Sequence, residues 1–88
     1  MVRGAFVKYS VHVEVSGREG IADPEGQTIE RALPALGFDG VGHVRVGKVI
    51  RFEIEAADRE AARARSAELC DRLLANPVIE QAEVTVEA

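Results

Sequence analysis

The sequence has no tryptophan, one tyrosine and three phenylalanines, and its single cysteine is Cys70. A disulfide needs two thiols, so Cys70 cannot form one within the chain, and one thiolate cannot build a cysteine-rich zinc cluster. The leucines around it, Leu69, Leu73 and Leu74, favour a small buried hydrophobe over a reactive nucleophile.

Positive charge and long apolar runs are scarce as well. Lys and Arg number 11 against 15 Asp and Glu, and the formal net charge of −4 leaves no excess positive charge for a nucleic-acid backbone or an anionic membrane. No apolar run is long enough to cross a bilayer, and residues 1–6 are too short for a signal peptide. We therefore expect a cytoplasmic protein without nucleic acid or membrane among its partners.

The composition is typical of one small globular domain, with 47% hydrophobic and 30% charged residues. We predict a single domain over residues 1–88, in which residues 1–5 are either an ordinary variation in length or a disordered end. A domain of this size buries only roughly 60–65% of the surface that its unfolded chain exposes. Contact with a partner surface would therefore add stability.

The residues from Asp23 onwards are typical of a helix with a defined start and a defined end. The carboxylate of Asp23 suits an N-cap, and Pro24 suits the first helical position because its missing N–H is not needed there. Pro34 predicts a kink or break, and Gly37 suits the left-handed residue that ends a helix. An apolar stripe that needs a covering surface is formed by Ile29, Ala32, Leu33 and Leu36.

Alternating apolar residues predict strands on both sides of this helix. Residues 6–15 form the first strand, and the alternation from Val44 to Ile54 holds across residues 47–49, which permits one long bent strand or a hairpin. Asp58 suits the cap of a second helix, which Asn76 ends in a left-handed conformation before Pro77. The last strand places its apolar face on Val78, Ala82, Val84 and Val86.

This order predicts an α+β fold: a two-layer sandwich with an antiparallel sheet of three or four strands and two helices on one face, related to the ferredoxin-like fold. A sheet with few strands exposes its edges, and pairing with another copy removes that liability. We therefore predict a homodimer or tetramer.

Three stretches in register resemble one family. They are Asp23–Gly26 with residues 31–33 and 36–40, then residues 44–48 with Phe52 and Glu53, and finally residues 74–80. With these motifs the chain resembles the PurS-type small subunit of phosphoribosylformylglycinamidine synthase over nearly its whole length.

The resemblance implies a noncatalytic assembly subunit of purine biosynthesis. Such a subunit bridges a glutaminase subunit and a synthetase subunit, so that ammonia from glutamine reaches formylglycinamide ribonucleotide. ATP and magnesium are then expected on the synthetase. The resemblance carries no catalytic, cofactor-binding or metal-binding residue to this chain, whose motifs are caps and turns.

Two further hypotheses come from the loops. An alternative function is an ACT-like regulatory module that binds a small ligand through residues 20–23 or 40–43. For an assembly subunit, the polar residues Asp39, Lys48 and Asn76 are candidates for partner contact, because polar groups on turns are positioned without being committed to packing. The competing interpretation is that Asp39 and Asn76 serve only their own turns.

Overall fold

The computed structural model describes residues 6–87, so residues 1–5 of the predicted domain lie outside the described part. Three strands and two helices follow one another in the order β1, α1, β2, α2, β3. Their bounds are β1 Val7–Gly17, α1 Pro24–Ala32, β2 Gly47–Ala56, α2 Arg59–Leu69 and β3 Glu80–Glu87. The predicted α+β class is confirmed.

The sheet has β1 at its centre, with β2 and β3 paired antiparallel on either side. The alternation of β1 buries Val11, Val13 and Val15, each at most 1% exposed, because both neighbouring strands and α2 surround them. Against these valines pack Ala56, Ala62, Cys70 and Val86. The predicted burial of Cys70 is confirmed at 3% exposure, and this burial raises the pKa of its thiol.

Both helices begin where the sequence predicts. Asp58 accepts a hydrogen bond from the Ala61 N–H at 2.8 Å and caps α2, which packs against all three strands. After α1, Pro34 starts a separate 3₁₀ turn, and Gly37 is left-handed with φ 92°. The Phe38 N–H then donates to the Leu33 carbonyl at 3.0 Å, which forms a Schellman motif around the predicted left-handed Gly37.

Several local predictions were wrong. Residues 44–46 belong neither to a long strand nor to a hairpin, because their backbone groups bond to α1, so β2 begins only at Gly47. The apolar spacing of the second helix predicts Leu73 on its buried stripe, but Leu73 lies in a π-helical turn, Cys70–Leu74, and is 75% exposed. Val78 lies before β3 and is 79% exposed. The left-handed non-glycine residue is His43 and not Asn76.

The first helix does not cover the sheet within this chain. It packs chiefly against the 3₁₀ turn Pro34–Leu36, and together with its flanking loops it forms a projecting unit, residues 21–46, which we call the arm. The molecule measures 62 × 27 × 14 Å, and its radius of gyration is 17.5 Å. A compact chain of this length would have roughly 12 Å. No helix among residues 6–87 is long and apolar enough to cross a membrane.

Ser66 is a polar residue at the centre of the helix–sheet contact. Its side chain is fully buried, and its hydroxyl has no hydrogen-bond partner among residues 6–87. A buried hydroxyl without a partner loses its hydration without compensation. We expect Ser66→Ala to stabilise the domain by about 0.5–1.5 kcal/mol in chemical denaturation, helped by the higher helix propensity of alanine. Destabilisation by this variant would show that the hydroxyl contributes a bond to the fold.

Candidate functional site

A single carboxylate joins the arm to the start of β2. One oxygen of Asp23, Oδ1, accepts from the Gly26 N–H at 3.0 Å and caps α1, as the sequence predicts. The other, Oδ2, accepts from the Val46 N–H at 2.8 Å and lies 3.4 Å from Nε of Arg45. Asp23 therefore holds both the helix and the strand that leaves the arm.

A second carboxylate and a glycine complete this junction. Oε1 of Glu30 accepts from the Val44 N–H at 3.0 Å, although Glu30 is not part of the apolar stripe that the sequence predicts for α1. Gly26 is buried where residues 44–46 cross the helix, and an added Cβ would lie 2.6 Å from the Val44 carbonyl oxygen. We call Asp23, Gly26, Glu30 and the Val44–Val46 segment the clamp.

Only part of the clamp can be predicted from the sequence. Asp23 can be recognised as an N-cap because it directly precedes Pro24. The hydrogen bond by which it caps α1 involves only neighbouring residues. Its bond to Val46 spans 23 positions, and that of Glu30 to Val44 spans 14. A glycine inside a helix, which costs about 1 kcal/mol relative to alanine, is the one sequence feature that indicates a close crossing at Gly26.

The clamp is expected to weaken in acid. The hydrogen bond from the Val46 N–H, then that from Gly26, lowers the pKa of Asp23 from its ordinary value of 3.8. This stabilisation is therefore complete above the unfolded-state pKa and is lost as the pH falls through the lowered folded-state value. We expect the hydrogen-exchange protection of the Val46 amide, corrected for intrinsic rate, to fall as the pH is lowered below 3.8, the ordinary pKa of the Asp23 carboxyl, and through its lowered folded-state pKa.

The matched variant for this measurement is Asp23→Asn. Its amide oxygen can still cap α1, but the amide nitrogen cannot accept from Val46. We expect low Val46 protection that does not change over the same acid range. Protection of Val46 that stays constant with pH in the unmodified chain would contradict the role of the carboxylate.

The arm exposes large apolar side chains to an unusual extent. Exposure is 69% for Leu36, 55% for Phe38 and 43% for Ile29. Ile21 and Val41 extend this surface at 40% and 48% exposure. The stripe of α1 that needs a covering surface is thus largely uncovered in the single chain, and exposed apolar surface of this kind is typical of protein contact sites.

The three residues predicted to contact partners lie in different settings. Asp39 lies exposed on the turn that follows α1, and its carboxylate makes no hydrogen bond or ion pair within residues 6–87. Lys48 was wrongly placed on a turn: it lies in β2, opposite Val15, because β2 starts one residue earlier. Lys48 and the turn at residues 75–79 share the end of the sheet from which the arm projects. The structure shows no contact among the three residues.

Asn76 is committed to its own turn. Its Oδ1 accepts from the Val78 N–H at 3.1 Å, and its backbone N–H donates to the Glu80 carboxylate at 2.7 Å. Arg18 ties this turn to the end of β1, since its Nε donates to the Pro77 carbonyl at 2.9 Å. The local bonds of Asn76 agree with the competing interpretation, while its role in partner contact stays a prediction.

The two loops considered for a regulatory ligand meet at a cleft beside α1. Its volume is about 330 Å³, and its two carboxylates, those of Asp23 and Glu30, already accept backbone N–H groups. Within residues 6–87, no three His, Cys, Asp or Glu side chains are grouped as metal ligands. The cleft is lined by Ile21, Asp23, Gln27, Glu30, Gly42, His43, Val44 and Arg45.

Comparison with known proteins gives the family. The family model PurS, described as phosphoribosylformylglycinamidine (FGAM) synthase, matches residues 10–88. The chain belongs to the PurS family. The phosphoribosylformylglycinamidine synthase subunit PurS of Archaeoglobus fulgidus is 49% identical over 71 residues, which cover 81% of this chain and 86% of that protein.

Solved structures of PurS subunits share the fold. The PurS subunit of phosphoribosylformylglycinamidine synthase from Thermotoga maritima superposes with a TM-score of 0.83 at 36% identity, covering 92% of this chain and 93% of that one. A chain in the structure of PurLQS from the same organism also gives a TM-score of 0.83 at 36% identity, covering 91% and 98%. None of these relatives supports the ACT-like alternative.

Some of the residues by which this chain resembles the PurS family lie in the clamp. The first motif, Asp23–Gly26, supplies the carboxylate and the glycine, and the second begins with the Val44–Val46 segment that they hold. These motifs are therefore more than cap and turn chemistry, because together they set the position of the arm.

Proposed function

We propose that this chain is the noncatalytic assembly subunit of a cytoplasmic phosphoribosylformylglycinamidine synthase. It bridges the glutaminase and synthetase subunits, so that ammonia released from glutamine reaches formylglycinamide ribonucleotide. It acts as a homodimer or tetramer within that complex. Membership of the PurS family and the similarity to a chain in the structure of PurLQS support this assignment.

The observation that carries the bridging role is the exposed apolar surface of the clamped arm. Leu36 and Phe38 are more than half exposed, which is costly unless another surface covers them. The clamp holds this surface in a defined position, so that less conformational entropy is lost when a partner binds. A positioned apolar surface on a projecting arm is suited to holding two larger proteins together.

The chemistry is assigned to the partner subunits. We propose that the synthetase binds ATP and magnesium, and that the glutaminase supplies the nucleophile that releases ammonia. No catalytic, cofactor or metal residue is assigned to this chain. Its own contribution is the relative placement of the two active subunits, which changes the efficiency of ammonia transfer and not the chemistry of either site.

The decisive experiment measures formation of formylglycinamidine ribonucleotide by the purified synthetase and glutaminase, with and without this chain. With glutamine as nitrogen donor, activity is expected to depend on the added chain. With a high concentration of ammonium salt as donor, the synthetase is expected to work without it. This second arm separates assembly from catalysis.

Two outcomes would overturn the proposal. Equal glutamine-dependent activity and equal complex formation without this chain would remove the assembly role. A requirement for this chain even when ammonium replaces glutamine would show that it takes part in the synthetase reaction itself. Size-exclusion chromatography with light scattering on the same mixtures gives the subunit ratio.

A further inference from the structure

We propose that the open face of the sheet, the face turned away from α2, is a docking surface for a basic helix of an enzyme subunit. This inference rests on the assembly role in the proposed function, and it names a surface outside the arm together with the chemistry of its partner. The contact is made along three carboxylates, Glu14, Glu83 and Glu87, which we call the acidic stripe.

The register of the sheet defines the open face. In β1, Val11 and Val13 are buried against α2, so the residues between and beside them lie on the opposite face. The same alternation continues in β2 and β3, where the residues aligned with Ser10, His12 and Glu14 are all exposed. The residues that the structure describes therefore cover the sheet with a helix on one face only.

Most of the net charge of the protein lies on the open face. Five carboxylates and two basic side chains there give a net charge of −3, whereas the other ten acidic and nine basic residues of the chain nearly balance. A surface of one sign attracts a partner of the opposite sign and repels partners of its own sign. The seven charged residues are Lys8, Glu14, Arg51, Glu53, Glu55, Glu83 and Glu87.

The acidic stripe carries charge that has no counterion within the described chain. On the β2 side of the face, Nζ of Lys8 lies 3.9 Å from the Glu53 carboxylate. Within residues 6–87, by contrast, the side chains of Glu14, Glu83 and Glu87 make no hydrogen bond or ion pair. The uncompensated negative charge therefore runs along β1 and β3.

Two of these carboxylates are direct cross-strand neighbours. Glu14 of β1 lies opposite Glu83 of β3, and like charges directly opposite each other destabilise a sheet. A surface depression of about 340 Å³ lies against this pair and is also lined by Ser16 and Gln81. The end of a lysine or arginine side chain fits such a depression and, between the two carboxylates, replaces their repulsion by attraction.

The spacing of the stripe matches two turns of a helix. Glu83 and Glu87 are four residues apart on β3, which corresponds to roughly 13 Å along the strand. Positions i and i+7 of a helix lie on the same side and about 10.5 Å apart, and the long side chains of Lys and Arg span the difference. A helix along β1 and β3 therefore places one cation at Glu14 and Glu83 and another at Glu87.

Other occupants fit this face less well. A calcium ion takes about 6–8 oxygen ligands. Within residues 6–87, no three His, Cys, Asp or Glu side chains are grouped to supply them. A second copy of the chain would bring two acidic stripes together, and nucleic acid carries the same sign as the stripe. The charge pattern therefore selects a basic protein surface.

Charge reversal separates docking from a structural role, because the two readouts change in opposite directions. Glu83→Lys replaces a like-charge pair by an attractive pair with Glu14, so it is expected to raise the midpoint of thermal unfolding of the chain by about 1–4 °C. In calorimetric titration at low salt, the same variant is expected to raise the dissociation constant for at least one purified enzyme subunit at least about tenfold. A purely structural role would not weaken binding while stabilising the fold.

Glu60→Lys is the matched control. Glu60 is exposed in the first turn of α2, in the other layer of the molecule, and its reversal changes the net charge by the same amount. We expect it to leave the dissociation constants for the synthetase and the glutaminase unchanged. Glu87→Lys tests the far end of the stripe and is expected to weaken binding to the same subunit as Glu83→Lys.

The outcomes distinguish this surface from the assembly function. Unchanged binding by Glu83→Lys and Glu87→Lys, or equal weakening by Glu60→Lys, would overturn the docking surface. The assembly function still stands in that case if glutamine-dependent activity requires the chain. Weakened binding by both reversals, together with full glutamine-dependent activity in the absence of the chain, would reject the function and leave the docking surface standing.

Discussion

Replacing Gly26 by alanine is expected to release the arm from β2 while leaving the sheet intact. The added methyl would lie 2.6 Å from both the Val44 carbonyl oxygen and Oδ2 of Asp23, and the carbonyl belongs to the backbone and cannot rotate away. Alanine normally stabilises a helix interior by about 1 kcal/mol relative to glycine. At position 26, however, the added methyl overpacks the crossing, so alanine is expected to destabilise the clamp. We expect the free energy of arm opening to fall by about 1–3 kcal/mol.

Hydrogen exchange at single residues measures this effect. The Val44 and Val46 amides should exchange at least about tenfold faster in Gly26→Ala, whereas the amides of Val11 and Val13 in the centre of β1 should not change. Gly40→Ala is the matched control, because an added Cβ there meets no atom within 4 Å. Equal exchange at Val44 and Val46 in the two variants would contradict a close crossing at Gly26.

Leu36→Asp is expected to abolish most of the glutamine-dependent activity of the assembled enzyme without unfolding the chain. Leu36 is 69% exposed, so the charged side chain should change the free energy of unfolding by no more than about 0.5 kcal/mol. Burying that charge at a subunit contact is costly. We expect the dissociation constant for the partner subunits to rise at least about thirtyfold, as for residues at the centre of an interface.

The control for this prediction is Leu73→Asp. Leu73 is 75% exposed and receives the same substitution, but it lies on the turn after α2 and outside the arm. Light scattering of the mixed subunits should show an intact complex with Leu73→Asp and a dissociated one with Leu36→Asp. If both variants assemble equally well, the apolar surface of the arm is not the contact surface.

Local chemistry explains why the helix boundaries could be predicted. Asp23 and Asp58 cap their helices because an N-cap bond joins residues three apart, and Pro34 breaks the first helix by lacking an N–H. Gly37 adopts φ 92°, a conformation that any other residue would occupy at a cost. Each of these features depends on a few adjacent residues, so no knowledge of the fold is needed.

The wrong predictions for residues 44–48 have a different cause. The alternation of apolar residues from Val44 to Ile54 looks continuous, but the Val44 and Val46 N–H groups bond to carboxylates of the arm and leave the sheet. Lys48 consequently lies in a strand and not on a turn. Periodicity describes which side chains share a face, whereas it does not specify which partner takes each backbone hydrogen bond.

The amino-acid sequence by itself determined the α+β class, the helix starts, the alternating faces of the strands and the resemblance to the PurS family. Tertiary structure alone decided that the arm stands away from the sheet, that Asp23 and Glu30 hold residues 44–46, and that Arg59 and Arg63 donate to backbone carbonyls of β3. The division follows the range of the interactions. Caps and periodicity act over a few residues, whereas the clamp and the arginine bonds to β3 join groups 14 to 27 positions apart, which only the folded chain brings together.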